Sequence, residues 1–174
     1  MHATRMNLLK EQARQIGLPL HVIEIPFPCS NADYEKIMTE FITKIQADNI
    51  EAVAFGDLYL EDIRDYRIKQ MNGTGIEPIF PCWGINTTEL SKRIIDIGIK
   101  ANITCIDPKQ ISTDFAGHAF NQDFLNALPD AVDPCGENGE FHTFVYDSPD
   151  FDKPIKINKG ETVERDGFIF TDWL

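Results

Sequence analysis

Hydrophobic and polar positions along the chain switch repeatedly between a helical period and short, nearly continuous apolar runs. Residues 4–16 place Met6, Leu9, Ala13 and Ile16 at helical spacing, with Gly17 as a stop. After Pro19, residues 20–25 predict a short strand ended by Pro26 and Pro28. A helix over 33–47, capped by Asn31 or Asp33, carries Ile37, Phe41 and Ile45 on one face. The run 50–56 is almost wholly apolar, the pattern of a strand covered on both faces of a parallel sheet. A helix from Asp62 to Met71, a strand over 77–80 cut off by Pro81, a helix from Thr87 or Thr88 through Ile97, and a strand over 100–106 follow. Helix and strand thus alternate about four times with short connections, which predicts an α/β fold built on a parallel sheet with right-handed crossovers.

The pattern changes after residue 106. Residues 119–128 predict one more helix, halted by Pro129, and runs over 141–146, 154–158 and 166–171 predict strands. Asn158-Lys-Gly160 and Asp166-Gly167 carry the turn chemistry expected between antiparallel strands. The division is therefore an α/β domain over 1–106 and a smaller C-terminal α+β lobe over 107–174, whose junction is a natural place for a ligand cleft.

Charge narrows the function classes. With 28 Asp and Glu against 16 Lys and Arg the net charge is −12, and no Lys/Arg-rich block exists to grip a nucleic-acid backbone. No apolar run approaches the length of a membrane span and the start of the chain is not patterned as a signal peptide, so the expectation is a soluble, cytoplasmic protein. Cys29, Cys82, Cys105 and Cys135 lie far apart with no Cys-x-x-Cys pair, which suits free thiols rather than a zinc site or a disulfide framework.

Candidate chemistry concentrates in Asp133-Pro-Cys-Gly-Glu-Asn-Gly-Glu-Phe-His-Thr-Phe-Val-Tyr-Asp147. Gly136 and Gly139 flank Glu137 and Asn138, and Glu140 leads into an alternating run of β-formers. The picture is a carboxylate-bearing turn feeding a strand, although the same composition also makes an ordinary solvated turn. Elsewhere, Gly56 and Asp57 follow the apolar run 50–56, at the strand end where open parallel sheets gather ligands. Asp57 there suits a ribose hydroxyl or a metal ion, or simply starts the next helix. Trp83, at the end of the next strand, suits a pocket wall, a stacked base or the core, while Arg64 and Arg67 suit a solvated helix face or contact with phosphate oxygens. His142 reads as structural or as a hydrogen-bond orienter. His2, His21 and His118 share no ligand spacing with it, so a histidine metal site is not indicated and metal-binding residues stay unassigned. No Gly-x-Gly-x-x-Gly, Gly-x-x-x-x-Gly-Lys-Ser/Thr or Gly-x-Ser-x-Gly motif occurs.

Taken together, Gly56-Asp57-Leu58, Pro81-Cys-Trp-Gly84 and Asp133-Pro-Cys-Gly-Glu-Asn-Gly-Glu-Phe-His-Thr143 resemble the diphthine–ammonia ligase family, ATP-binding proteins related to the PP-loop ATP pyrophosphatases. Met1-His-Ala-Thr-Arg, Gly17-Leu-Pro-Leu20 and Asp147-Ser-Pro-Asp-Phe151 fit as well, so the likeness spans the chain. The resemblance implies a parallel sheet of adenine nucleotide α-hydrolase (Rossmann-like) type followed by a C-terminal substrate lobe. It also implies ATP with magnesium, adenylation of a substrate carboxylate with release of pyrophosphate, and attack of ammonia to form an amide. The substrate is a small-molecule or protein-borne carboxylate, in the diphthamide enzymes a modified histidine of an elongation factor. Neither nucleic acid nor membrane is a partner, and a homo-oligomer is among the assemblies allowed. Glu137 and Glu140 match the family's acidic motif as catalytic residues, with Gly136, Asn138, Gly139, Phe141, His142 and Thr143 as substrate-binding neighbours. Gly56, Asp57 and Trp83 fall to the nucleotide.

The family's members begin with a strand and a Ser-Gly-Gly-Lys-Asp-Ser phosphate loop. This sequence starts after that loop, so the expectation is a truncated nucleotide-binding domain. Either the natural protein is longer, another chain fills the gap, or the remnant has rearranged. The alternative to a ligase is thus a non-catalytic remnant or oligomeric binding module of the family. His118, after Gly117, stands where the family is expected to place an arginine.

Overall fold

The computed structural model describes residues 4–26 and 28–174. The opening Met1-His-Ala of the resemblance lies outside the described residues. The chain forms two compact units, one made of the stretch up to Leu20 together with Ile85–Leu174, the other of His21–Gly84.

The first unit contains α1 (Met6–Ile16), α4 (Thr87–Asp96), β3 (Lys100–Ile106), β4 (Ala119–Phe120), α5 (Gln122–Ala127), β5 (Phe141–Asp147), β6 (Lys159–Arg165) and β7 (Phe168–Trp173). Its sheet is antiparallel throughout. β5 runs the length of one edge of β3, from Lys100 opposite Asp147 to Ile106 opposite Phe141. The other edge is shared by β4 at Ala101–Asn102 and β7 at Cys105–Ile106, and β6 closes the order beyond β7. The β6–β7 hairpin turns on Asp166 and Gly167, both at positive φ (52° and 80°), the geometry of a type I′ turn.

The second unit contains α2 (Asn31–Ala47), β1 (Ala52–Ala54), α3 (Glu61–Met71) and β2 (Glu77–Ile79). β1 and β2 are its only paired strands among the described residues, and they are parallel. Ile42, Ile45, Met71 and Ile76 form its core.

The parallel Rossmann-type sheet expected from the sequence is therefore overturned: parallel pairing is confined to two short strands, and the main sheet has five antiparallel ones. The physical reason lies in what an apolar run can report. Ala101 to Ile106 are all buried, as any central strand covered on both faces must be, and burial is blind to strand direction. Residues 20–25 form no strand, with Leu20, Val22 and Ile25 exposed, and the run 50–56 shrinks to Ala52–Ala54 with both alanines exposed. Two local readings also change. Residues 119–128 divide into β4 and α5 because Asn121 caps the helix, its Oδ1 accepting from Phe124 N at 2.9 Å. Residues 154–158 stay outside the ladder, and Lys159-Gly160 opens β6 instead of turning.

α1 buries a different stripe from the apolar one. Leu8 (5% exposed) and Gln15 (1%) face inward, while Met6, Leu9 and Ile16 are exposed. Polar anchoring explains the choice. Gln12 Nε2 donates to Val145 O at 2.7 Å, Gln15 Oε1 accepts from Lys153 N at 3.1 Å, and Gln15 O accepts from Asp152 N at 2.9 Å. These bonds satisfy main-chain groups that burial would otherwise leave costly. The core of this unit lies in two clusters: Ile103, Ile106, Phe120, Phe124 and Phe141 in one, Leu8, Phe144, Ile155 and Trp173 in the other. No helix among the described residues is long and apolar enough to cross a membrane.

Candidate functional site

The turn between α5 and β5 is shaped by two carboxylates. Asp133 starts it: its Oδ1 accepts from Cys135 N at 2.8 Å and Glu137 N at 3.4 Å, and its carbonyl accepts from Gly136 N at 2.9 Å. Glu140 finishes it. Only 1% exposed, its carboxylate accepts from Asp133 N at 2.9 Å, Asn138 N at 3.0 Å and Asn138 Nδ2 at 3.0 Å. The Glu140 carbonyl accepts from Asp107 N at 2.9 Å, which ties the turn to the end of β3.

Gly136 makes this fold of the turn feasible. It sits at φ 72°, and a Cβ there would stand 2.8 Å from the Phe141 carbonyl oxygen. Gly139, at φ 81°, has open space around it. Cys135 Sγ donates to Thr87 O at 3.4 Å, joining the turn to the start of α4.

The predicted residues of this turn separate into two groups. Glu140 and Phe141 (3% exposed) are interior, the latter in the aromatic cluster with Phe120 and Phe124. Asn138 and Thr143 are exposed, while Gly136, Glu137, Gly139 and His142 are half-buried. His142 lies opposite Cys105 in the β3–β5 ladder, and its carbonyl accepts from Thr104 Oγ1 at 3.2 Å. Asp133 was absent from the predicted site. Its signal is legible, since an Asp two residues before a residue whose N–H needs an acceptor is an Asx-turn.

The remaining predicted residues belong to the second unit. There Phe55, Phe80 and Trp83 make an aromatic floor at the ends of β1 and β2, with ring centroids 5.6 and 6.0 Å apart. The Arg64 guanidinium lies 4.7 Å from the Trp83 ring and 5.4 Å from Phe80, and that of Arg67 lies 5.2 Å from Phe55. Asp57 Oδ2 stands 3.9 Å from Arg67 Nε. Both atoms are buried with no hydrogen-bond partner among the described residues, as is Arg64 Nε. Gly56 is exposed and Trp83 half-buried. Among the described residues no group of three or more His, Cys, Asp or Glu side chains is placed to hold a metal ion. No disulfide joins any of the four cysteines, and burial pushes the Cys105 thiol up to about 11.

The class of fold and site is thus an antiparallel α+β unit with a glycine-hinged acidic turn, and an α/β unit whose helix α3 lays two arginines on aromatic rings at the strand ends. Comparison with known proteins narrows that class. Residues 86–171 match the family described as the diphthamide synthase C-terminal domain. The chain is 24% identical over 153 residues to a diphthine–ammonia ligase of Homo sapiens, covering 84% of this chain and 57% of that protein. It is 26% identical over 131 residues to the Bos taurus enzyme of that name, covering 72% and 49%. With that of Mus musculus the identity is 25% over 160 residues, covering 88% and 60%. Residues 86–171 thus belong to the diphthamide synthase C-terminal domain family, and the chain as a whole is similar to diphthine–ammonia ligases. It spans about half to three-fifths of the length of these relatives.

Proposed function

We propose that this chain serves an ATP-dependent amide-forming ligase that converts the carboxylate of diphthine to an amide with ammonia. The observation that carries the reading is the turn 133–140, in which the Glu140 carboxylate is consumed by the turn's own N–H groups while Glu137 sits half-buried at its tip. Glu137 is then the side chain that meets the substrate. A carboxylate there favours an ammonium or trimethylammonium group and repels competing anions. Glu140, Asp133 and Gly136 position it.

ATP, as co-substrate, would supply the adenylyl group, with release of pyrophosphate, so that the carboxylate becomes an acyl-adenylate mixed anhydride with AMP as its leaving group. Magnesium in nucleotide sites is held by one or two carboxylates together with phosphate oxygens, and Asp57, with a buried oxygen lacking a hydrogen-bond partner among the described residues, fits that role. Gly56 exposes main chain next to it for close approach, and Trp83 contributes an aromatic wall. The turn's part is to orient the acyl carbon for attack by ammonia, whose nitrogen forms the amide bond as AMP leaves.

Isothermal titration with ATP and magnesium, followed by pyrophosphate release with diphthine-bearing elongation factor and ammonium, tests the reading. Binding and release are expected, with Glu137→Gln lowering release at least tenfold while ATP affinity is unchanged. Absence of ATP binding by the chain would reduce it to a binding module of the family, and wild-type release by Glu137→Gln would remove that carboxylate's role.

A further inference from the structure

β6 (Lys159–Arg165) is the last strand of its sheet: β7 lies on one side and no strand among the described residues on the other. Outside the β6–β7 ladder, none of its residues makes a main-chain hydrogen bond among the described residues. Such an edge offers a row of N–H and C=O groups to another extended chain, and proteins commonly block it with charge. β6 carries Lys159, Glu161, Glu164 and Arg165. Their order repels most partners and fits one.

Glu161, Val163 and Arg165 share a face, since all three line one cavity of about 560 Å3 together with Phe170 of β7. Glu161 and Arg165 are exposed and Val163 is half-buried. Neither of the two charges has an ion-pair partner among the described residues. Arg165 rests its guanidinium over the Phe170 ring, 5.5 Å from the centroid, which leaves its donors free for a carboxylate. The other charges of this face are occupied or lie beyond the strand. Arg5 and Asp172 are bonded to each other, Lys159 Nζ donates to Ala116 O at 3.1 Å, and Asp166 belongs to the turn.

The order Glu161-x-Val163-x-Arg165 is complementary to itself read backwards. Two β6 strands laid antiparallel about a twofold axis at Val163 set Glu161 of each copy opposite Arg165 of the other. Val163 meets Val163 at the axis, Thr162 meets Glu164 on the opposite face, and Lys159 falls opposite the uncharged Gly167. Opposite charges across a strand pair stabilise it and like charges weaken it, so neighbouring registers lose. Moving the axis to Thr162 puts Lys159 opposite Arg165, and moving it to Glu161 or Glu164 puts glutamate opposite glutamate. Parallel pairing in register stacks every charge on its own kind. A twofold contact makes each favourable pair twice. β6 shifts register against β7 between Lys159 and Thr162, which confines the new pairing to about residues 161–165 and predicts a weak dimer.

We propose that the free edge of β6 receives a second copy of this chain. The two sheets join into one antiparallel sheet across a twofold axis at Val163, held in register by the paired Glu161 and Arg165 side chains. No part of this depends on the ligase reading.

The test is sedimentation velocity of the full chain over a wide range of concentrations. Wild type is compared with Glu161→Arg, Arg165→Glu and the double variant carrying both. Circular dichroism melts confirm that each is folded. Either single substitution sets like charges opposite one another at two places, whereas the double variant restores both pairs with their signs exchanged. Wild type is expected to form a dimer whose dissociation constant rises about tenfold or more in each single variant. In the double variant it should return to within about threefold of wild type. Raised salt should weaken the wild-type dimer, because the paired charges are exposed. A wild type that stays monomeric throughout overturns the proposal and leaves the β6 charges as a plain block on the edge. So does a dimer indifferent to both single substitutions, whose contact must lie elsewhere, or a double variant as weak as the single ones.

Discussion

Glu140 and Asn138 hold one another in place: the Asn138 main-chain N–H and side-chain amide both donate to the Glu140 carboxylate, at 3.0 Å each. A side chain two residues downstream thus folds the chain back on itself, and Asp133 N completes the set at 2.9 Å. Glu140→Ala leaves these three donors without their acceptor. The two donors of exposed Asn138 can turn to water, so the loss expected in urea unfolding is about 1–3 kcal/mol, the cost of the orphaned Asp133 N–H. Glu140→Gln replaces one acceptor oxygen by a donor and should fall between wild type and Glu140→Ala.

The two glycines of the turn are not equivalent. Gly136→Ala forces a Cβ to 2.8 Å from the Phe141 carbonyl at φ 72°, whereas Gly139→Ala meets open space at φ 81°. The second substitution should cost only the left-handed backbone penalty of about 1–2 kcal/mol. The first should cost measurably more, because Phe141 is fixed in the core. Thermal melts of the two variants side by side check the ranking.

Acid should weaken the attachment of the chain's start to its end. Arg5 donates to both oxygens of Asp172, through Nε to Oδ1 at 2.8 Å and through Nη2 to Oδ2, and these bonds hold the Asp172 carboxyl below the usual range. Glu11, bonded by Arg14 and Gln15, is held to about 2. Carboxyls with depressed folded values contribute stability that is fully present above their unfolded values, about 4, and lost as pH falls through the folded ones. The stability difference between wild type and Asp172→Asn should be level near pH 7 and shrink below about pH 4, read from urea midpoints across that range.

Thiol chemistry should follow burial. Cys105 is 2% exposed with its thiol pushed up to about 11, so the reactive thiolate is scarce at pH 8. Iodoacetamide at that pH should label Cys29, Cys82 and Cys135 in the folded protein, and Cys105 only after unfolding. Peptide mass mapping before and after denaturant reads the result.

Helices with strong local signals were legible. The run ending before Gly17, the segment behind Asn31 and the Thr87 helix all lie within a few residues of their predicted places. So was the Asp166-Gly167 hairpin, because its positive φ values are a local demand. The acidic turn was legible as a turn and as a family motif.

What distinguished Glu140 from Glu137 was not legible. Two glutamates in one Gly-Glu-Asn-Gly-Glu run are chemically alike until the main chain chooses which of them to enclose. The same holds for Gln15, a helix surface residue by composition and 1% exposed in fact, because its partners Asp152 and Lys153 lie far along the chain.

Sequence alone thus determined the main helices, the Asp166-Gly167 hairpin, the acidic balance and the family likeness, since these depend on neighbours in the chain or on residue identity. Only the tertiary structure decided that β3 takes antiparallel partners, that α1 turns its glutamines inward, and that one glutamate of the turn is interior. Each of those outcomes depends on which distant main-chain groups need a partner once water is gone.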